Sequence, residues 1–190
     1  MTDIGIFRKR KMNPKEIHQL TAYSKQSGMI MGLVWVLSFA CFVASLKDQS
    51  LTLIFDLTII SIPICGVKLI KHYRDKILNG TISFIKAFAY SMTMFVHAII
   101  ILSFAQWLYM EFLDNGFLFS ALTAKVQSPE YKPLLDAYGV SMEETATQLK
   151  AMADTRPIDF PFMFLLTNIF LSLILSWVIA LITKKTKKNY

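Results

Sequence analysis

Four long apolar stretches constrain what this chain can fold into more than any other feature. They cover residues 28–46, 51–70, 88–112 and 161–183. A bilayer core about 30 Å thick takes roughly 17–25 helical residues to cross, and each stretch falls in that range. The sequence therefore predicts an all-α fold, a polytopic transmembrane four-helix bundle with short extracytoplasmic amphipathic helices between spans three and four.

The side-chain pattern disfavours a β-barrel, the other fold that spans membranes. Barrel strands alternate apolar and polar residues, because one face meets lipid and the other meets the lumen. The fourth stretch contains Phe162-Met-Phe-Leu-Leu and does not alternate. Composition agrees with helices in lipid, since 54% of the 190 residues are hydrophobic, against about 45–50% apolar residues in soluble domains.

Basic residues predict the direction of each span. Fifteen of the 20 lysines and arginines lie before span one, from the last residues of span two to the start of span three, or after span four. They are Arg8, Lys9, Arg10, Lys11, Lys15, Lys25, Lys68, Lys71, Arg74, Lys76, Lys86, Lys184, Lys185, Lys187 and Lys188. Cytoplasmic segments of membrane proteins carry such an excess. We therefore predict the cytoplasmic (inner) membrane of a bacterium, with both termini in the cytoplasm.

This topology divides the chain into five segments. We expect a cytoplasmic basic arm and helix start at 1–27, and spans one to three within 28–113. An extracytoplasmic helical loop at 114–160 precedes span four at 161–183, and a basic cytoplasmic tail follows at 184–190. Span one could instead be a cleaved signal peptide, but signal h-regions hold only about 7–15 apolar residues. A signal anchor is favoured.

The net charge of +7 indicates a partner class. In a soluble protein such an excess would suggest nucleic acid. Here membrane orientation explains it, so we predict no nucleic-acid partner. Basic clusters beside a membrane also attract anionic lipid head groups. The expected partners are the lipid bilayer with these head groups, and a possible protein partner or homo-oligomer.

Local signals predict several helix ends and one close contact. Asn13-Pro14-Lys15-Glu16 is typical of a helix start. Ser128-Pro129 and Ser141-Met-Glu-Glu144 predict two short helices whose apolar faces lie across the outer mouth of the bundle. The Gly28 and Gly32 pair is typical of a close helix crossing, either within the bundle or between two copies.

Polar residues inside the spans form a candidate intramembrane site. Counted from the outer boundary, Asp56, Gln106 and Asn168 fall at similar depth, and His97 lies deeper in span three. Ionisable groups at membrane depth are costly and often functional. Three interpretations stay open: hydrogen bonds between helices, contact of Asp56 with interfacial water, or a functional site for an ion or polar ligand.

Signatures of catalysis are missing from the sequence. It has no glycine-rich phosphate loop, no Gly-x-Ser-x-Gly elbow and no paired carboxylates on one span. Of three histidines, His18 and His72 are predicted to be cytoplasmic, which leaves His97 without further metal ligands. Cys41 and Cys65 are predicted at different depths, as packing residues. We expect no enzyme, no metal and no cofactor.

One stretch resembles a known family. Tyr73-Arg74-Asp75, followed by Gly80-Thr-Ile-Ser-Phe and Ala87-Phe88, is similar to a motif of the bacterial membrane family called domain of unknown function (DUF) 4199. The Pro161-Phe-Met entry to span four is also similar. The resemblance would cover about residues 20–188. It implies four spanning helices and an outer loop between spans three and four, but no established activity.

The same motif forms a second candidate site, at the inner face. Its residues are Tyr73, Arg74, Asp75, Ser83 and Lys86. They either fix how spans two and three meet, or bind a lipid head group or protein partner. For the whole chain we predict a non-enzymatic scaffold or accessory component that binds lipid or a protein partner. The alternative is a small oligomeric transporter or ion pathway that uses the intramembrane polar residues.

Overall fold

The computed structural model describes residues 12–186. The helices of this part are α1 Pro14–Lys47, α2 Thr52–Lys76, α3 Phe84–Phe112, α4 Phe117–Val126, α5 Lys132–Ala137, α6 Met142–Ala153 and α7 Asp159–Thr183. Four of them, α1, α2, α3 and α7, are long and apolar enough to cross a membrane. The predicted all-α bundle is thus confirmed. Residues 1–11 of the predicted basic arm and residues 187–190 of the predicted tail lie outside the described residues.

The spanning helices run alternately up and down and define two ends of the bundle. At one end α1 and α3 begin and α2 and α7 finish. This end carries Arg74, Lys86 and Lys185, and we call it the basic end. The opposite end carries α4, α5 and α6 between α3 and α7, and we call it the loop end.

Helix ends follow the local signals of the sequence. The Asn13 side chain accepts from the Lys15 N–H, and Glu16 accepts from the Asn13 N–H, so α1 starts where expected and its start is a capping box. Between α1 and α2 the carboxylate of Asp48 accepts from the Ser50 N–H at 2.9 Å. Hydrogen bonding from Ser50 lowers the pKa of this carboxyl. The short turn produces the tight helical hairpin that its four polar residues predict.

Helices α1 and α3 pack closely because two glycines leave room for side chains of α3. A Cβ placed on Gly28 would lie 2.6 Å from the His97 Cβ and 2.7 Å from the Met94 carbonyl oxygen. At Gly32 it would lie 2.8 Å from the Ile101 Cδ1. The glycine pair therefore makes the close crossing within one chain.

Helix α2 is the least embedded of the four. Its buried residues are Gly66, Ile70 and Tyr73, all in the half nearer the basic end. There Gly66 meets α7, since a Cβ on it would lie 2.8 Å from the Ile179 Cδ1. Nearer the loop end, Leu53, Leu57 and Ile60 are exposed. Such a surface suits lipid, because lipid tails solvate apolar side chains.

A small second core closes the loop end. Val43 of α1, Leu118 and Phe119 of α4, and Phe160 of α7 are buried together. Leu149 and Met152 of α6 pack against them. The predicted cap thus exists, but α4 was not foreseen. Asn115 and Gly116 precede it, both with positive φ, and this dipeptide is a common turn signal that marks its start.

The first of the two predicted short helices differs from expectation. The Ser128 hydroxyl donates to the Lys125 carbonyl at 2.8 Å, so this side chain serves the end of α4 and does not cap a new helix. The following helix, α5, begins at Lys132, and its Leu134 is exposed. The second start is confirmed, since the Ser141 side chain accepts from the Glu144 N–H at the start of α6.

Candidate functional site

A cleft of about 660 Å³ lies among the four spanning helices, in the half of the bundle nearer the loop end. Its volume is typical of small-molecule sites, which occupy about 300–1,000 Å³. Every spanning helix contributes to its wall. The lining residues are Trp35, Ser38, Phe39, Phe42, Phe55, Ile59, Ile60, Ile62, Pro63, Leu102, Gln106, Asn168, Leu171 and Leu175.

The exposure of lining residues on α2 and α7 indicates that the cleft opens sideways between these two helices. Their glycine contact at Gly66 and Ile179 lies deeper in the bundle than the cleft. Above it, the lining residue Ile60 of α2 is 57% exposed, and Leu171 of α7 is 48% exposed. Both residues belong to spanning helices, so the mouth between them faces the hydrocarbon of a membrane.

No lining residue of the cleft is ionisable. The wall consists of aromatic and aliphatic side chains with one serine and two amides. The Ser38 hydroxyl is already used, because it donates to the Val34 carbonyl of its own helix at 3.0 Å. A charged ligand group would find no counter-charge here, and a buried charge without a partner is strongly unfavourable. The cleft therefore suits an uncharged, largely apolar ligand.

Two buried polar atoms of the wall have no hydrogen-bond partner among the described residues. They are the indole nitrogen Nε1 of Trp35 and the amide oxygen Oε1 of Gln106. These residues are only 5% and 7% exposed. The Trp35 ring is held by stacking on Phe95 at a centroid distance of 5.7 Å. Both atoms have almost no accessible surface, so a ligand in the open cleft does not reach them in this conformation.

Four hydroxyl groups of the described residues also lack partners: Thr52, Ser103, Ser172 and Ser176. They carry less information about a ligand. A helical hydroxyl can rotate toward the carbonyl four residues earlier, as Ser91 does with Ala87 at 2.9 Å. These hydroxyls therefore do not by themselves indicate a ligand.

The predicted intramembrane residues divide into two pairs. Gln106 and Asn168 line the same cleft, as their matching depth suggested. Asp56 is exposed on α2 and is not among the lining residues. His97 lies in the contact between α1 and α3, beside Gly28, and its Nδ1 is 2.7 Å from the Thr93 carbonyl oxygen. Within the described residues, no single polar path connects these four side chains.

Trp35 is the cleft residue that the sequence interpretation missed. Tryptophan in membrane proteins is enriched at the interface, where its ring is amphipathic. Trp35 lies twelve residues before Lys47, the last residue of α1, or about 18 Å of helix rise. The sequence signal for Trp35 is its position at mid-span, where its indole N–H needs a hydrogen-bond acceptor.

The residues predicted at the inner face lie at the basic end, where Arg74 forms a clamp between helix ends. Arg74 makes two hydrogen bonds to Asp75, at 2.7 and 3.0 Å, and its Nη1 donates to the Thr183 carbonyl at 3.0 Å. Because Thr183 ends α7, the guanidinium lies at the negative end of that helix dipole, where a cation is stabilising. Arg74 thereby ties the end of α2 to the end of α7.

Tyr73 points into the bundle and joins this clamp to the core. It is buried, and its ring stacks on Tyr90 at a centroid distance of 4.6 Å. The Tyr90 hydroxyl donates to the Tyr23 carbonyl at 3.3 Å and lies 2.6 Å from the Ser27 hydroxyl. Aromatic and hydroxyl contacts thus connect α1, α2 and α3 near the basic end.

The remaining inner-face residues start α3. Ser83 caps the helix by accepting from the Lys86 N–H, and the Lys86 ammonium lies 3.1 Å from a Glu16 carboxylate oxygen. Just before the cap, Ile82 and Lys185 exchange two backbone hydrogen bonds at 2.9 Å. A polar cavity of about 360 Å³ lies between Lys86 and Lys185. All five predicted residues therefore have structural partners.

Within residues 12–186, no group of three or more His, Cys, Asp or Glu side chains could hold a metal ion. The two cysteines are not joined in a disulfide.

The four spanning helices and the clamp motif at the basic end define a class of small polytopic membrane protein. Residues 26–185 match the family described as protein of unknown function (DUF4199), and the chain belongs to that family. No curated protein and no solved structure matches the chain.

Proposed function

We propose that this protein is a non-enzymatic membrane component that binds a lipid-like ligand in the cleft among its spanning helices. The observation that carries the proposal is a laterally open cleft of about 660 Å³ whose lining residues include no ionisable side chain. A ligand that enters from the bilayer already lies in a solvent that matches the apolar wall. Occupancy then depends on shape and on the few polar contacts.

The basic end supports a second, weaker contact with lipid. Lys86 and Lys185 line a polar cavity at the ends of spanning helices, where anionic head groups gather beside a cytoplasmic surface. We place this end in the cytoplasm, in the inner membrane of a bacterium, on the strength of the charge distribution. A protease site within 115–159 should then be cut from outside intact spheroplasts. Cleavage only in inverted vesicles would show that the protein has the opposite orientation.

A scaffold or accessory role would add a protein partner or a second copy. Helix α2 favours this, because much of its surface toward the loop end is exposed and apolar. Cross-linking in native membranes should capture a defined complex through α2. Recovery of monomer alone would restrict the proposal to lipid binding.

The geometry gives less support to a small oligomeric transporter or ion pathway. The sequence predicts that such a pathway uses Asp56, Gln106, Asn168 and His97. Of these four residues, only Gln106 and Asn168 line the cleft. Replacement of Asp56 by Asn in liposomes checks this alternative. An altered flux would favour it, and an unchanged flux would favour a binding role.

Tryptophan fluorescence tests the proposed lipid binding directly. The double variant Trp107→Phe, Trp177→Phe retains Trp35 as the reporter. In bilayers of phospholipids brominated on the acyl chain, Trp35 should be quenched, because a bromine must enter the cleft to touch a residue that is 5% exposed.

The matched control retains Trp177, which is 55% exposed on α7. Its quenching by surrounding lipid shows that the bilayer and the probe behave as expected. Strong quenching of Trp177 together with unquenched Trp35 would contradict lipid binding in the cleft.

A further inference from the structure

Asp56 is a charged residue in an otherwise uncharged part of the second span. Residues 49–67 contain no other Asp, Glu, Lys, Arg or His. This stretch rises by about 28 Å, close to the hydrocarbon thickness of about 30 Å. Asp56 follows Asp48 by eight residues, or about 12 Å of helix rise. Long lysine and arginine side chains reach the interface over such distances, but a short aspartate side chain does not.

The exposed carboxylate of Asp56 has no partner within the chain. Its side chain is exposed on α2, and among residues 12–186 no hydrogen bond or ion pair joins it to another residue. A carboxylate that faces hydrocarbon without a counter-charge is strongly unfavourable. A partner that covers Asp56 and supplies a donor removes this cost.

Apolar residues beside Asp56 provide a surface on which another helix packs. Leu53, Leu57, Ile60 and Ile64 are all exposed, and they follow one another at intervals of four, three and four residues. This spacing forms one stripe along α2, as in helices that pack side by side. We call these four residues the α2 seam. Asp56 shares its face, since it lies three residues after Leu53 and four before Ile60.

The charge of Asp56 distinguishes between possible occupants of the α2 seam. Two copies inserted in the same direction are related by a twofold axis normal to the membrane. Their α2 helices would run parallel, with Asp56 at the same depth in both. Two carboxylates would then face each other within the hydrocarbon, which is strongly unfavourable. A cationic group at this depth is complementary instead.

We infer that the α2 seam docks a transmembrane helix of another protein, and that this helix carries one lysine or arginine at the depth of Asp56. The cation pairs with Asp56 while apolar residues of the partner pack along the seam. The inference deepens the accessory role proposed above by naming the chemistry of the partner. It does not depend on a lipid in the cleft, because Asp56 is not among the cleft residues.

Model spanning peptides test this pairing in liposomes. Each peptide has a leucine–alanine core, a dansyl label, and lysine, glutamate or leucine about 12 Å from one end. Association with the full-length protein is followed by energy transfer from its tryptophans to the dansyl group. We expect the parent to bind the lysine peptide roughly three- to twentyfold more tightly than the leucine peptide, the range of polar contacts between membrane helices.

Substitutions at Asp56 locate the pairing. Asp56→Leu should abolish the preference for lysine, and Asp56→Lys should transfer the preference to the glutamate peptide. The matched control is Asp48→Asn, which removes the same charge at the turn before α2 and should retain the preference of the parent. A preference gained by Asp56→Lys does not arise from misfolding, so the test stays decisive if Asp56→Leu fails to fold.

The outcomes separate this inference from lipid binding in the cleft. Equal binding of the lysine and leucine peptides to the parent overturns the inference, and so does a lysine preference that survives Asp56→Leu. Self-association of the parent that excludes the lysine peptide also overturns it, since a second copy would then occupy the α2 seam. Absence of Trp35 quenching by brominated lipid would overturn lipid binding and leave this inference standing.

Discussion

The basic end and the cleft are built from the same four helices but treat their polar groups in opposite ways. At the basic end, Arg74 and Tyr90 each bond to another helix, and Lys86 pairs with Glu16. In the cleft wall, the Trp35 Nε1 and Gln106 Oε1 atoms have no hydrogen-bond partner among the described residues. Where polar groups are paired within the protein, their position in the fold explains them. The uncharged, mainly apolar wall of the cleft instead fits the apolar ligand that we propose.

The largest expected effect concerns the contact between α1 and α3 at Gly28, which lies between the basic end and the cleft. In Gly28→Ala the new methyl group meets the His97 Cβ and a backbone oxygen, neither of which can move freely. Overpacking of this kind typically costs about 1–3 kcal/mol, and we expect the upper part of that range. Thermal unfolding in detergent should show a clear fall in Tm.

Gly66→Ala provides the matched comparison. There the methyl group meets the Cδ1 of Ile179, the end of a flexible side chain, so the loss should stay below about 1 kcal/mol. Equal losses for the two variants would mean that α1 and α3 are not the rigid pair of the bundle.

An intermediate effect is expected at the basic end. Arg74→Gln removes the hydrogen bond to the Thr183 carbonyl and should lower the free energy of unfolding by about 1 kcal/mol. The exposed Lys71→Gln controls for the lost charge and should change little. If both variants unfold at the same temperature as the parent, Arg74 does not tie α2 to α7.

The smallest effect on stability is expected in the cleft. Without ligand, Gln106→Met removes a buried group that lacks a partner, so stability should stay level or rise by up to about 1 kcal/mol. Chemical denaturation in lipid-free detergent measures this. A loss above about 1 kcal/mol would show that Gln106 has a partner within the protein, and the contrast between the two regions would disappear.

The sequence predicted what depends on local chemistry. Spans require about 20 apolar residues, and the caps at Asn13 and Ser141 depend on side chains a few positions away. Counting residues from the outer boundary also gave Gln106 and Asn168 a common depth, and both line the cleft.

The depth of a residue in its span does not tell which way its side chain faces around the helix axis. Asp56 has a suitable depth, yet it is exposed and does not line the cleft, because the rotation of a spanning helix is set by packing against its neighbours. The same limit explains why Trp35 went unnoticed. Its place in the cleft depends on how four helices from separate parts of the chain pack together, which no single segment encodes.

Mass spectrometry of the lipids that co-purify from native membranes tests most directly whether the cleft is a lipid site. The double variant Ile59→Phe, Leu171→Phe narrows the cleft from both sides of its mouth. The matched variant Leu57→Phe, Leu173→Phe adds the same rings at exposed positions on the same helices, outside the cleft lining. We predict that the parent and the matched variant retain an uncharged lipid that the narrowed variant loses. The same lipid in equal amount on all three proteins would contradict a binding site in the cleft.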